Sequence, residues 1–126
     1  MIRAAERTSL LAEVLRVLAA LPAVEIARRV CGPQALLATL RDARWRRLER
    51  DAAGRQRLRR AVGWVDRHLG SGGNCYRRAL LEIALDRGVA AEPVYFGLKL
   101  ENERLDGHAW LPGQTDGGAF PFTIRL

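Results

Sequence analysis

The sequence predicts an α+β chain, helices first and a small antiparallel sheet after them. Two observations predict it. Up to residue 69, apolar residues recur every three or four positions, the helical period. From residue 94 they alternate with polar ones, the period of a half-buried strand. A glycine-bearing stretch, Gly70-Ser71-Gly72-Gly73, marks the change of texture. With 126 residues the chain is long enough for one domain with its own core. It reads as a single unit, 1–126, with a helical part at 1–69 and a site-bearing part at 70–126.

In chain order, Leu10, Leu11, Val14, Leu15, Leu18 and Leu21 form an apolar stripe that Pro22 is expected to close. A short second helix follows over Val24 to Val30. Gly32-Pro33 restarts the chain, proline suiting a first helical position. Leu36, Leu37 and Leu40 continue the stripe toward Trp45 and Leu48. Gly54 marks a break, and Leu58, Val62, Val65 and Leu69 make another amphipathic helix. Asn74 is a suitable N-cap. The helix behind it runs from Cys75 to Arg87, with Gly88 as its C-cap. Val94, Phe96, Leu98 and Leu100 alternate with Tyr95, Gly97 and Lys99, giving a strand. A turn over Glu101 to Leu105 leads to a second strand, Gly107 to Leu111, with His108 and Trp110 on one face. After the loop Pro112 to Gly118, Ala119 to Arg125 forms a third strand. Pro121 assigns that strand to an edge.

Composition narrows the function. Apolar residues at 48% and charged residues at 28% describe a globular chain and exclude a disordered one. The longest apolar stretch, Leu10 to Val24, is interrupted by Glu13, Arg16 and Pro22, so no membrane span is expected. The net charge of +7 comes almost wholly from arginine, since Lys99 is the single lysine. Arginine is densest from Arg41 to Arg67, broken by Asp42, Glu49, Asp51 and Asp66. That pattern reads as a solvated helix face, one that would suit an acidic peptide but shows no specific nucleic-acid signature. There is no zinc-ligand spacing, phosphate loop or dinucleotide fingerprint, so neither a metal nor a cofactor is expected. Two cysteines, Cys31 and Cys75, are too few for a disulfide framework. They read as free thiols of a cytoplasmic protein.

Cys75 is the informative residue. It follows the glycine-bearing loop and opens a helix, where the helix dipole favours a thiolate over a thiol. His108 lies 33 residues downstream on a strand. A cysteine on a helix is commonly a small buried apolar group, and a histidine on a strand is commonly structural. The tip position and the strand partner separate this pair from that background. A helix-tip thiol facing an imidazole is the working pair of a cysteine nucleophile enzyme, with backbone N–H groups at the helix start as oxyanion donors. The spacing predicts a sulfur-to-imidazole separation of roughly 3–4 Å. A third group would orient His108 through its other ring nitrogen. Asp106, two residues earlier on the same face, and Asp116, in the loop before the third strand, are the candidates. His68, beside Arg67 on a charged helix, reads as solvated.

The segments Cys75-Tyr76-Arg77-Arg78-Ala79-Leu80, Asp86-Arg87-Gly88-Val89, Tyr95-Phe96-Gly97-Leu98 and Gly107-His108-Ala109-Trp110-Leu111 resemble the bacterial transglutaminase-like family of lasso-peptide leader peptidases. The order and spacing agree over the last half of the chain. The resemblance implies a papain- or transglutaminase-like core at 70–126, Cys75 as nucleophile and His108 as general base and acid. It also implies an acid after the His-Ala-Trp strand. Pro112 stands where the family usually has glutamate, and Asp116 is the single acid downstream of His108.

The implied function is a cysteine peptidase that removes the leader from a ribosomally made precursor peptide during lasso-peptide maturation. Such enzymes act with a separate small leader-binding protein and an ATP-dependent lasso cyclase. The helical first half lacks strands of a fused leader-binding domain, so the stand-alone form is implied. Two other readings remain at this stage. One is an amidase or acyltransferase using the same thiol. The other is a non-enzymatic basic module binding peptide or nucleic acid.

Overall fold

The computed structural model describes residues 4–42, 50–69, 74–112 and 122–126. Its helices are α1 (Ala4–Val30), α2 (Pro33–Arg41), α3 (Ala52–Leu69), α4 (Cys75–Leu85) and the single turn α5 (Arg87–Ala90). Its strands are β1 (Tyr95–Glu101), β2 (Arg104–Trp110) and β3 (Phe122–Arg125). The expected order, helices before sheet, is the observed one. No described helix is long and apolar enough to cross a membrane.

Pro22 does not end the first helix. α1 runs through it, and the expected second helix is the continuation of α1. The proline is exposed, while Val17, Ala20 and Val24 keep one buried stripe on both sides of it. An interior proline costs about 3 kcal/mol. Continuing the helix buries Val24, worth about 1.5–3 kcal/mol, and holds Glu25 within 3.3 Å of Arg77. Those gains offset the loss.

Gly54 is likewise not a break. It lies in the first turn of α3, where its N–H donates to the Asp51 carboxylate at 2.7 Å. Asp51 thereby caps the helix, and residues up to Leu69 follow it.

α4 is the centre of the fold. It touches α1, α2 and α3 on one side and β2 on the other. Eight of its eleven residues are buried, Leu80, Leu81 and Ile83 completely. The helix stops at Leu85, short of the expected Arg87. Asp86 is extended, and its carboxylate accepts the Gly88 N–H at 3.0 Å to start α5. Gly88 therefore sits inside a new turn and not at a C-cap. A Cβ at that position would collide with the Arg55 guanidinium.

The sheet has the order β2-β1-β3 and is antiparallel throughout. Asn102 and Glu103, at φ 50° and 64°, make a two-residue turn between β1 and β2. Two positive φ values match the right-handed twist of a hairpin. β3 lies at an edge, as expected, though Pro121 itself falls outside the described residues. Val94 and Leu126 exchange two backbone hydrogen bonds, of 2.9 and 2.8 Å, and prolong the β1–β3 ladder. Register puts Phe96 opposite Ala109 on the face toward α4, and Gly97 opposite His108 on the other. One cluster of buried side chains joins both halves, from Val17 and Val24 through Leu58 and Val62 to Leu80, Val89 and Leu111.

The arginine-rich face requires the largest correction. Residues 43–49 lie outside the described residues, but the arginines on either side of them turn inward. Arg50 reaches Glu13 at 2.6 Å, Arg55 reaches Asp86 at 2.9 Å and Arg59 reaches Glu82 at 3.2 Å. Arg41 donates to the backbone carbonyls of Glu92 and Leu126, at 3.2 and 3.1 Å. A guanidinium offers five donors in a rigid fork and so suits such buried ties. These side chains join helices to one another instead of forming the solvated stripe that their spacing suggested. Arg60 and Arg67 remain exposed.

Candidate functional site

The site is assembled around the first residue of α4. Asp66, fully buried on α3, accepts the backbone N–H of Asn74 at 2.9 Å. The Asn74 side chain then accepts the N–H of Arg77 at 3.0 Å, which makes Asn74 the N-cap that the sequence predicts. Arg77 returns to Asp66 through its Nε at 2.7 Å and reaches Glu25 of α1 at 3.3 Å. α1, α3 and α4 are thus tied together immediately behind Cys75. Residues 70–73 of the glycine-bearing loop fall outside the described residues.

Charge is settled within this tie. Arg28, donating to the Glu25 carboxylate, holds that carboxyl below its ordinary range against the opposing effect of burial, and Arg77 adds to it. Burial works against the Arg77 charge, but Asp66 and then Glu25 outweigh it and raise its pKa.

At the tip, the Cys75 sulfur accepts a hydrogen bond from the backbone N–H of Ala109 at 3.3 Å. Ala109 is the residue next to His108. The contact places the thiol against β2, an edge strand among the described residues. Cys75 and His108 both line one open cleft of about 510 Å³, with Pro33, Tyr76, Phe96 and Leu98 as apolar walls and the backbone of Gly107 at its rim. Asn74 takes the Arg77 N–H, so the N–H groups of Cys75 and Tyr76 at the helix start have no intrahelical acceptor. They are the donors available to a developing oxyanion.

His108 is half-buried. Its ring stacks on Trp110 at 5.7 Å, and Trp110 stacks on Tyr95 at 5.8 Å. That row of rings fixes the imidazole plane. Tyr76 packs edge-to-face on Phe96 at 5.4 Å. Its hydroxyl is buried without a hydrogen-bond partner among the described residues, and burial raises its pKa, against the opposing influence of Arg28.

The structure therefore brings two of the expected site residues to one cleft, but not as a thiol facing an imidazole. The register that turns Ala109 toward α4 turns the His108 ring to the opposite face, beside Trp110. The contact that the sulfur makes is with the Ala109 backbone at the β2 edge. The third position stays where the sequence left it. Asp116 falls outside the described residues. Asp106 pairs through its backbone with Lys99, and its side chain is likewise outside them. His68 is exposed and stacks on Trp64 at 4.6 Å. Cys31 is exposed and free, and Cys75 is free. No group of three or more metal-ligating side chains occurs among the described residues.

Sequence reasoning missed Asp66, which it counted among the acids breaking up a surface run. The signal was present: Asp66 follows Val62 by four positions and so shares its buried face.

No family model, curated protein or solved structure matches this chain.

Proposed function

We propose that the chain is a cysteine peptidase with a papain- or transglutaminase-like core, acting in the cytoplasm on the leader of a ribosomally made precursor peptide, as in lasso-peptide maturation. The observation that carries this reading is the Cys75 thiol at a helix tip, hydrogen-bonded to the strand that bears His108 and open to a cleft. In the proposed reaction the His108 ring, reaching round the outer edge of β2 where the Ala109 N–H holds the sulfur, takes the thiol proton, and the Cys75 sulfur attacks the scissile carbonyl. The N–H groups of Cys75 and Tyr76 stabilise the oxyanion. Collapse releases the amine of the downstream peptide, which receives the proton from His108, and leaves the leader as a thioester on Cys75. Water, deprotonated by His108, then hydrolyses that thioester. Asp116 or Asp106 orients His108.

The open cleft beside an edge strand supports an extended peptide as substrate, because main-chain groups of such an edge can pair with it. A closed apolar cavity would have suited an acyltransferase better. The similarity of the Cys75–Leu111 segment to leader peptidases supports the further reading that a small leader-binding protein delivers the substrate and that an ATP-dependent cyclase takes the product.

The test combines reactivity with cleavage. Iodoacetamide should alkylate Cys75 far faster than Cys31 near neutral pH, and His108→Ala should remove that difference. The chain with a leader-binding protein and precursor from the same genome neighbourhood should release the leader, and Cys75→Ala should not. Equal alkylation of both thiols, or cleavage by a folded Cys75→Ala variant, would refute the reading.

A further inference from the structure

On the side of the molecule built by α1 and α3 lies a second groove, of about 580 Å³, lined by Leu10, Leu11, Val14, Ala61 and Trp64, with Arg60 and Arg67 among its walls. None of these residues takes part in the proposed peptidase site. Leu11 is 59% exposed, its neighbour one turn on, Leu15, is 58% exposed, and Trp64 is 45% exposed. Leucine and tryptophan left in water at this density on one concave face mark a surface that is covered in use. We propose that this groove docks an amphipathic helix of an acidic partner protein.

The charge around the groove selects that occupant. Arg60 and Arg67 are exposed and form no ion pair among the described residues. The carboxylates of α1 and α3 beside the groove that the structure describes are already committed, Glu13 to Arg16 and Arg50, and Asp66 to Arg77. Arg60 and Arg67 stand seven residues apart on α3, about 10 Å along its axis. A partner helix with leucine-like residues on one face and carboxylates two turns apart on its flank therefore meets the groove and both guanidinium groups together. A second copy of this chain fits worse. Two-fold pairing of this face would bring each pair of arginines toward the other, in a chain of net charge +7. A lipid surface fits worse as well, because the face is concave, and the apolar floor does not suit nucleic acid.

The experiment uses the full chain and two labelled peptides of about 18 residues. Both carry leucine at the i, i+3, i+4 and i+7 positions, one with glutamate on its flanks and the other with lysine. Fluorescence anisotropy should show the glutamate peptide binding, more weakly as salt rises, and the lysine peptide not. Arg60→Glu with Arg67→Glu should weaken the glutamate peptide by about tenfold or more and improve the lysine peptide, and Leu11→Asp should weaken the glutamate peptide about as much. These side chains are exposed, so circular dichroism should be unchanged. Equal binding of both peptides, insensitivity to the variants, or no binding up to about 1 mM would overturn the proposal. So would a wild-type dimer in sedimentation that Leu11→Asp dissociates, or variant-sensitive binding to phosphatidylserine vesicles without binding of the peptide.

Discussion

The flank of α4 and its tip are made of opposite materials. Along the flank, Arg77, Glu82 and Asp86 are buried and each is held by an ion of the opposite sign from α1 or α3. At the tip, the sulfur of Cys75 is held by a neutral backbone amide, and the cleft walls are Pro33, Tyr76, Phe96 and Leu98. Strong fixed charges belong where position must be set. Near a nucleophile they would compete for the same hydrogen bonds and for the substrate. The fold therefore fixes Cys75 from behind, through Asp66 and Asn74, and leaves the front to backbone and apolar surface.

The comparison can be broken most directly at the tip. Cys75→Ala should lower peptide cleavage by about four orders of magnitude or more while leaving the urea midpoint almost unmoved, because the thiol is only half-buried and makes one weak hydrogen bond. At the flank the order of effects reverses. Arg77→Ala leaves Asp66 buried with only the longer, half-exposed contact to Arg78 at 3.8 Å and should cost about 3 kcal/mol in urea unfolding. The double change Asp66→Asn with Arg77→Met removes both charges, and it should cost less than Arg77→Ala alone.

The junction of the two regions gives a smaller effect. Asn74→Ala should cost about 1 kcal/mol through the lost cap and lower kcat by moving Cys75, whereas Asn74→Asp, which keeps an acceptor, should preserve both. The pH response sharpens the flank further. Because Arg28 holds the Glu25 carboxyl below the ordinary value of 4.5 in the folded state, the stability due to it is complete above that value. It is lost as pH falls through the lower folded value. Glu25→Gln should flatten this acid limb of the stability profile and leave the neutral region parallel to wild type. Smallest of all, Cys31→Ala should change stability by no more than about 0.5 kcal/mol, since Cys31 is exposed and free.

The tip was more legible in the sequence than the flank. Asn74 as cap, Cys75 as first helical residue and the alternation from Val94 to Leu100 are local properties, written in adjacent residues. The direction in which an arginine points is not. Arg55 and Arg59 were correctly placed on a helix, Arg50 precedes it, and all three were wrongly assigned to solvent, because their partners Glu13, Asp86 and Glu82 lie 37, 31 and 23 residues away. Pro22 and Gly54 misled for a related reason. Propensity marks both as breakers, but a buried stripe carried α1 through one and an Asp51 cap absorbed the other. The acid partner of His108 was undecided in the sequence, and neither Asp106 nor Asp116 has a described side chain.

Asp66 has a consequence for motion at the nucleophile. Amide protons at the start of a helix usually exchange with solvent within seconds, because no turn precedes them to hold them. Those of Asn74 and Arg77 are instead bonded to the side chains of Asp66 and Asn74. Both should exchange slowly, and at a common rate, because releasing either means parting Asp66 from Arg77 and α1 from α4. In deuterium labelling, the tip of α4 should then open together with the helical half of the molecule, not with the sheet. The thiol would be as still as the Asp66–Arg77–Glu25 junction beneath it, and loosening Glu25, on a different helix from the thiol, would be felt at the sulfur as faster labelling of Asn74.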